Sequence, residues 1–248
     1  MHTIFVKSSI DGSIEPNLLW TPESTESVPL LVGLHTWSYD RYNQVESMLP
    51  HCKSRNWALL LPEARGPNLA SNPRVRQAAG ARTARQDVLD AISATLISQC
   101  VDASRIYLLG GSGGGHLALL VAADAPRLFA AVSSWVPATD LTTFYLEKPN
   151  PCSHIEAFCG GPPGKSSAVD LEYRERSPLF RAADLALVNL SIHHGRHDKL
   201  VHWTHTFRMA KEIAAYHPER LYFEIFDGGH EIGYDRAFAW FERQRNEI

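Results

Sequence analysis

The chain has 248 residues, 44% of them hydrophobic and 21% charged, enough apolar material for one large folded domain. Its net charge of −3 is carried by interspersed residues of both signs, which gives no reason to expect nucleic acid or an anionic membrane surface as a partner. No run approaches the roughly 20 apolar residues that span a bilayer. Residues 1–6 lack a basic region followed by an apolar core, so a cytoplasmic protein without a signal peptide is expected.

In chain order, strands over 4–8 and 18–20 flank Asp11-Gly12, a hairpin signal. Buried, parallel-type strands are predicted over 30–34, 58–61, 106–109, 130–134, 190–193 and 222–226. Helices fall between them, clearest over 83–99 and 204–215, with a last one over 235–245. The alternation predicts an α/β fold over 1–248 as a single domain: a mostly parallel, doubly wound sheet of about eight strands. Residues 140–184 interrupt it. They are rich in prolines, glycines and aromatics, show neither period, and read as a cap or lid inserted in the domain. The four cysteines are too scattered for a disulfide scaffold. Cys152 and Cys159 are near enough in sequence to bridge in an oxidising compartment, but free thiols are expected.

The strand over 106–109 runs into Gly110-Gly111-Ser112-Gly113-Gly114, followed by an apolar helix from Leu117. A serine at such an elbow projects its Oγ above the sheet, and the close passage of strand and helix requires small residues two before and two after. The elbow also sets the Gly113 N–H at a helix N-terminus, where orphan donors favour a developing oxyanion. A phosphate loop would need a lysine after the glycines, and none follows. A serine nucleophile needs a histidine base oriented by a carboxylate. The strand over 190–193 exits into a loop bearing Asp198, and the strand over 222–226 into one bearing His230. All three residues then lie at carboxyl ends of strands, in the order Ser, Asp, His. Asp140, just past the strand over 130–134, is the rival acid.

With His194-Gly195-x-x-Asp198-x-x-Val201, Asp227-Gly228-Gly229-His230 and Arg176-Ser177-Pro178, the chain resembles the prolyl-oligopeptidase-like group of α/β-hydrolases, from about Leu30 onward. The resemblance implies Ser112 as nucleophile, Asp198 as acid and His230 as base, with no cofactor. Members usually continue the strand over 30–34 with His-Gly-x, where this chain reads His35-Thr36-Trp37. By position the Trp37 N–H joins Gly113 in an oxyanion hole. Thr36 cannot take positive φ as cheaply as glycine, which leaves Thr36 N–H as the alternative donor and Trp37 as a packing residue.

Trp37, Trp135, Phe144 and Tyr145 are the aromatics placed to line a substrate pocket, or else belong to the core. Arg65, in a loop at the same edge, binds a substrate carboxylate or pins its loop. His116 reads as structural. His193, His194, His197, His202 and His205 offer zinc-type imidazoles, but their spacing fixes no ligand set and no metal is expected. Peptidases of the resembled group usually carry an N-terminal propeller, and the 248 residues read as a single domain without one. The expectation is therefore a serine esterase acting on a small-molecule ester through an acyl-enzyme. A small peptidase is the alternative, and a non-catalytic binding module on the same fold comes third.

Overall fold

Along the central strands, apolar side chains alternate between two destinations. Leu30, Val32 and Leu34 pack into one cluster and Leu31 into another; Ile106 and Leu108 part from Tyr107 and Leu109 in the same way. Strands that are apolar on both faces need cover on both faces, as in a parallel sheet flanked by helices. The computed structural model, which describes residues 1–150 and 152–244, has that architecture. Among the described residues eight strands form one sheet: β1 (His2–Lys7), β2 (Ile14–Trp20), β3 (Val28–Leu34), β4 (Ala58–Pro62), β5 (Val101–Gly111), β6 (Ala131–Trp135), β7 (Leu190–Gly195) and β8 (Leu221–Phe226). Their order is β1-β2-β4-β3-β5-β6-β7-β8, and every neighbouring pair from β4 onward is parallel. β1 and β2 form the hairpin expected at Asp11-Gly12, with Ser8 N–H donating to Ser13 O at 2.8 Å. Pairing with β1 carries β2 back through Pro16, a stretch where β4 offers it no partner.

Three helices follow β3, β4 and β5 in turn: α1 (Val45–Arg55), α2 (Arg82–Ser98) and α3 (Gly113–Asp124). The insertion over 140–184, expected to lack a period, folds instead, among the described residues, as four short α-helices: α4 (Leu141–Leu146), α5 (Ser153–Cys159), α6 (Ser167–Glu175) and α7 (Ala182–Leu185). None is long enough to display a period, and caps define where two of them start. Asp140 accepts from the N–H of Thr142 and Thr143, and Ser166 from that of Val169. Leu141, Ile155, Phe158 and Tyr173 gather in a cluster of their own, against which Trp37 and Phe144 pack. Arg176 anchors this cap, donating to the carbonyls of Ala78, Ala79 and Arg76 at 2.7, 3.3 and 2.8 Å. Two more helices, α8 (Thr204–Ala214) and α9 (Tyr234–Phe241), follow β7 and β8. Arg245, the expected end of the last helix, lies outside the described residues. α1 and α9 cover one face of the sheet; α2, α3 and α8 cover the other. No helix among the described residues is long and apolar enough to cross a membrane.

The direction of winding reverses between β3 and β5, which are neighbours in the sheet with Leu34 paired to Gly110. The loops leaving these two strands therefore emerge side by side, at the crevice where open α/β sheets build their sites. Arg65 does not line that crevice, which corrects one reading of it. Its guanidinium is buried, held by Asp87 and donating to Asp11 Oδ2, Gln77 Oε1 and Ser8 Oγ at 2.8, 2.7 and 3.1 Å. Carboxylates of the protein surround it, so it pins the hairpin to α2. Arg65→Met would leave Asp87 a buried anion with the Ser8 hydroxyl for partner, while Glu15 keeps its pair with Arg74 at 2.7 Å. The substitution is expected to lower the unfolding free energy by about 3–5 kcal/mol, read as an earlier denaturant midpoint at unchanged slope.

Candidate active site

Ser112 joins β5 to α3 with φ 54 and ψ −120, a left-handed conformation that a non-glycine residue holds only where its surroundings enforce it. Its N–H donates to Trp135 O at 2.8 Å and its own carbonyl accepts from His116 N–H at 2.9 Å. The turn is tight enough that a Cβ on Gly110 would overlap the Gly114 carbonyl. Gly113 opens α3, so its N–H has no intrahelical acceptor. A Cβ there would stand 2.8 Å from both N and Cα of Trp37, so the two loops meet almost in contact. Thr36 stays out of the positive-φ region. Its N–H and hydroxyl both donate to Asn43 Oδ1, at 2.9 and 3.1 Å, while Trp37 O accepts from Asn68 N–H at 2.9 Å. The Thr36 N–H is thereby occupied. The Trp37 N–H has no partner among the described residues and stands beside Gly113.

Asp198 and His230 meet where the β7 and β8 loops touch. His230 Nδ1 lies 2.7 Å from Asp198 Oδ2. The other carboxylate oxygen, Oδ1, accepts from the N–H of Leu200 and Val201 at 2.8 and 3.0 Å. His194, fully buried, places Nε2 3.1 Å from Oδ2 and 2.9 Å from Val201 O. Burial alone would raise the Asp198 carboxyl, but the hydrogen bonds from His194, His230 and the two backbone N–H groups outweigh it and hold the group well below the usual carboxylate range. The acid is therefore ionised and fixed in orientation. Asn43 escapes a reading by motif, because it acts from an unpatterned loop; His194 stands in the acid-loop motif, but its bond to Asp198 shows only in the fold.

Ser112, Trp37, Leu200 and His230 line two cavities at once. One, of about 200 Å³, continues over Gly113, His116, Ala138, Phe144, Lys148 and Cys152. The other, of about 370 Å³, runs past Tyr39, Val136, Glu231, Ile232 and Tyr234. His116 is almost wholly buried, its Nε2 donating to Arg176 O at 2.6 Å. Burial pushes its pKa down to about 4, so the imidazole is neutral near pH 7.

A profile of the prolyl oligopeptidase family matches residues 68–246. The chain belongs to that family. It is similar to the uncharacterized peptidase YtmA of Bacillus subtilis (strain 168), with 28% identity over 148 residues, covering 58% of this chain and 56% of that protein. Among solved structures it is similar to the Pyrococcus horikoshii acylaminoacyl peptidase, with TM-score 0.80 and 21% identity over 100% of this chain and 42% of that one. A puromycin-hydrolyzing peptidase of Mycobacterium tuberculosis gives TM-score 0.73 and 19% identity over 97% of this chain and 38% of that one. At those identities the likeness speaks for the fold, which is the α/β-hydrolase fold. The chain spans about half the length of the curated relative.

Within this prolyl oligopeptidase-family site, the expected aromatics divide. Trp37 and Phe144 line the smaller cavity. Trp135 does not: strand alternation turns its ring onto the α9 face, stacked on His193 at 3.9 Å between centroids, with Nε1 donating to Ser133 Oγ at 3.0 Å. Its contribution to the elbow is its carbonyl. Tyr145 packs edge-on against Tyr173 and donates to Glu156 at 2.5 Å, inside the cap and off the cavity wall. Asp140 is spent on capping α4, its Oδ2 also taking the Thr143 hydroxyl at 2.6 Å. The histidine run disperses among separate partners: His193 with Glu224, His197 with Asp227, His205 with Glu147. No cluster of metal-ligating side chains forms among the described residues. Cys152 and Cys159 are free thiols.

Proposed function

We propose that this chain is a serine hydrolase that cleaves peptide or related acyl-amide bonds through an acyl-enzyme on Ser112. One arrangement carries the reading: the 2.7 Å contact from His230 Nδ1 to Asp198 Oδ2, which leaves Nε2 as the basic nitrogen of a ring sharing its cavity with Ser112. His230 takes the Ser112 proton as Oγ attacks the carbonyl carbon, and the charge on the tetrahedral oxygen falls to the N–H groups of Trp37 and Gly113. The imidazolium, stabilised by ionised Asp198, protonates the leaving amine. Water then gives a proton to His230 as it attacks the acyl carbonyl, and that proton returns to Oγ when the acid departs.

The expectation of esters comes from the N-terminal propeller usual in such peptidases and not from the site itself. Family membership and the peptidases among the relatives favour amides, the reading placed second from sequence. An aminoacyl p-nitroanilide panel run beside p-nitrophenyl esters of the same acyl groups tests this. Turnover of anilides that disappears with a serine-directed phosphonate is the expected result; turnover of esters alone would return the reading to an esterase. Across an acyl-length series, Phe144→Ala is expected to change kcat/KM unequally, by about 1–3 kcal/mol where a ring contact is lost. Tyr145→Phe, off the cavity wall, should treat all members alike.

A further inference from the structure

We infer that the smaller cavity beside Ser112 selects an acyl group bearing a carboxylate, and that Lys148 is the residue that binds it. This rests on the acyl-transfer reading above and names the substrate class that reading leaves open. Lys148 follows α4 and is half-buried. Its ammonium donates to Leu200 O at 2.7 Å and lies 4.0 Å from the centroid of the Phe144 ring. Both contacts hold the cation in place, since Leu200 sits in the Asp198 loop and Phe144 on α4. Neither neutralises it.

The neighbouring carboxylates are all engaged elsewhere. Glu147 pairs with His205 at 3.1 Å, Glu156 accepts from Tyr145 at 2.5 Å, Asp140 caps α4, and Asp198 faces His230 and His194. Among the described residues lining this cavity, Lys148 is the one charged side chain; Trp37, Phe144, Leu200 and Val201 make the wall mostly apolar. In such a setting an ammonium bonded only to a neutral carbonyl keeps donor capacity for an anion, and a charge-assisted bond there is about twice as strong as a neutral one. The second cavity carries the opposite sign through Glu231. An anionic group is thus steered to the Lys148 side and away from the other. A cavity of about 200 Å³ suits a short acidic side chain.

Matched substrates isolate the charge: N-acetyl-glutamyl and N-acetyl-glutaminyl p-nitroanilides, and the corresponding p-nitrophenyl esters. The expected wild-type kcat/KM favours the glutamyl member by roughly 10- to 100-fold. That ratio should fall to about one in Lys148→Met and be largely kept in Lys148→Arg. As a ratio within one variant, it is insensitive to a general loss of activity. A wild-type ratio of one or below overturns the inference, as does a ratio that survives in Lys148→Met. Binding of the α-amides of N-acetylglutamate and N-acetylglutamine to Ser112→Ala, followed by tryptophan fluorescence, reads the same preference without turnover. Tight, Lys148-dependent binding with no hydrolysis by the wild type would sink the peptidase reading and leave this one standing. Hydrolysis without preference would do the reverse.

Discussion

Ser112→Ala is expected to lower turnover by roughly three to six orders of magnitude while leaving the fold and its stability near those of the wild type. The first half follows from chemistry: without Oγ no acyl-enzyme forms, and only the oxyanion donors and substrate binding remain. The second half follows from the surroundings. Ser112 Oγ holds no hydrogen bond with a described residue, so its removal orphans nothing. The φ of 54 is imposed by the bonds to Trp135 O and from His116 N–H, which are main-chain bonds that alanine keeps. A serine-directed phosphonate should label the wild type with one group per chain and the variant with none. Labelling that persists in the variant places the nucleophile on another residue, and loss of folding would show that the elbow needs the hydroxyl.

The sheet and the elbow were the most legible parts of the sequence, and for one reason. Strands buried on both faces must be apolar throughout, and the residues flanking a serine elbow must be glycine because backbone passes within contact distance. Both constraints act within a few residues of the signal they leave. Where they end, legibility ends. The cap folds as helices of four to nine residues, shorter than an isolated helix needs, and it is held by its own apolar cluster and by Arg176 on the carbonyls of Arg76, Ala78 and Ala79. No periodicity could announce it. Arg65 posed the same difficulty: an arginine near the crevice reads alike whether its carboxylate belongs to a substrate or to Asp87 on α2. Trp135 failed on a finer point, since position at a strand end fixes the edge but alternation decides the face. Asp140 was readable in principle, as aspartate is a preferred helix N-cap as well as a candidate acid. Lys148 left no mark, because the approach of Leu200 from the Asp198 loop exists only in the folded chain.

Asp198→Asn is expected to lower turnover by about 10²–10⁴ with substrate binding nearly unchanged. Asp198 reaches His230 with Oδ2 while Oδ1 is tied to the N–H groups of Leu200 and Val201. Those backbone donors require an acceptor, so an asparagine keeps its carbonyl oxygen there and turns its NH₂ toward His230. A donor facing Nδ1 selects the tautomer with the proton on Nε2, which cannot take the proton of Ser112. It also removes the negative charge that stabilises the imidazolium. His194 Nε2, 3.1 Å from Oδ2 in the wild type, loses the same acceptor but keeps Val201 O at 2.9 Å, so the loop should hold its course. Asp140→Asn is the matched control: asparagine caps a helix as well as aspartate does, and the site of Asp140 on α4 gives it no contact with His230. Steady-state kinetics on the two variants, with denaturant unfolding beside them, separates the roles. A large kinetic deficit at Asp140 with little at Asp198 would move the orienting acid to the end of β6, and the geometry around His230 would then need another account.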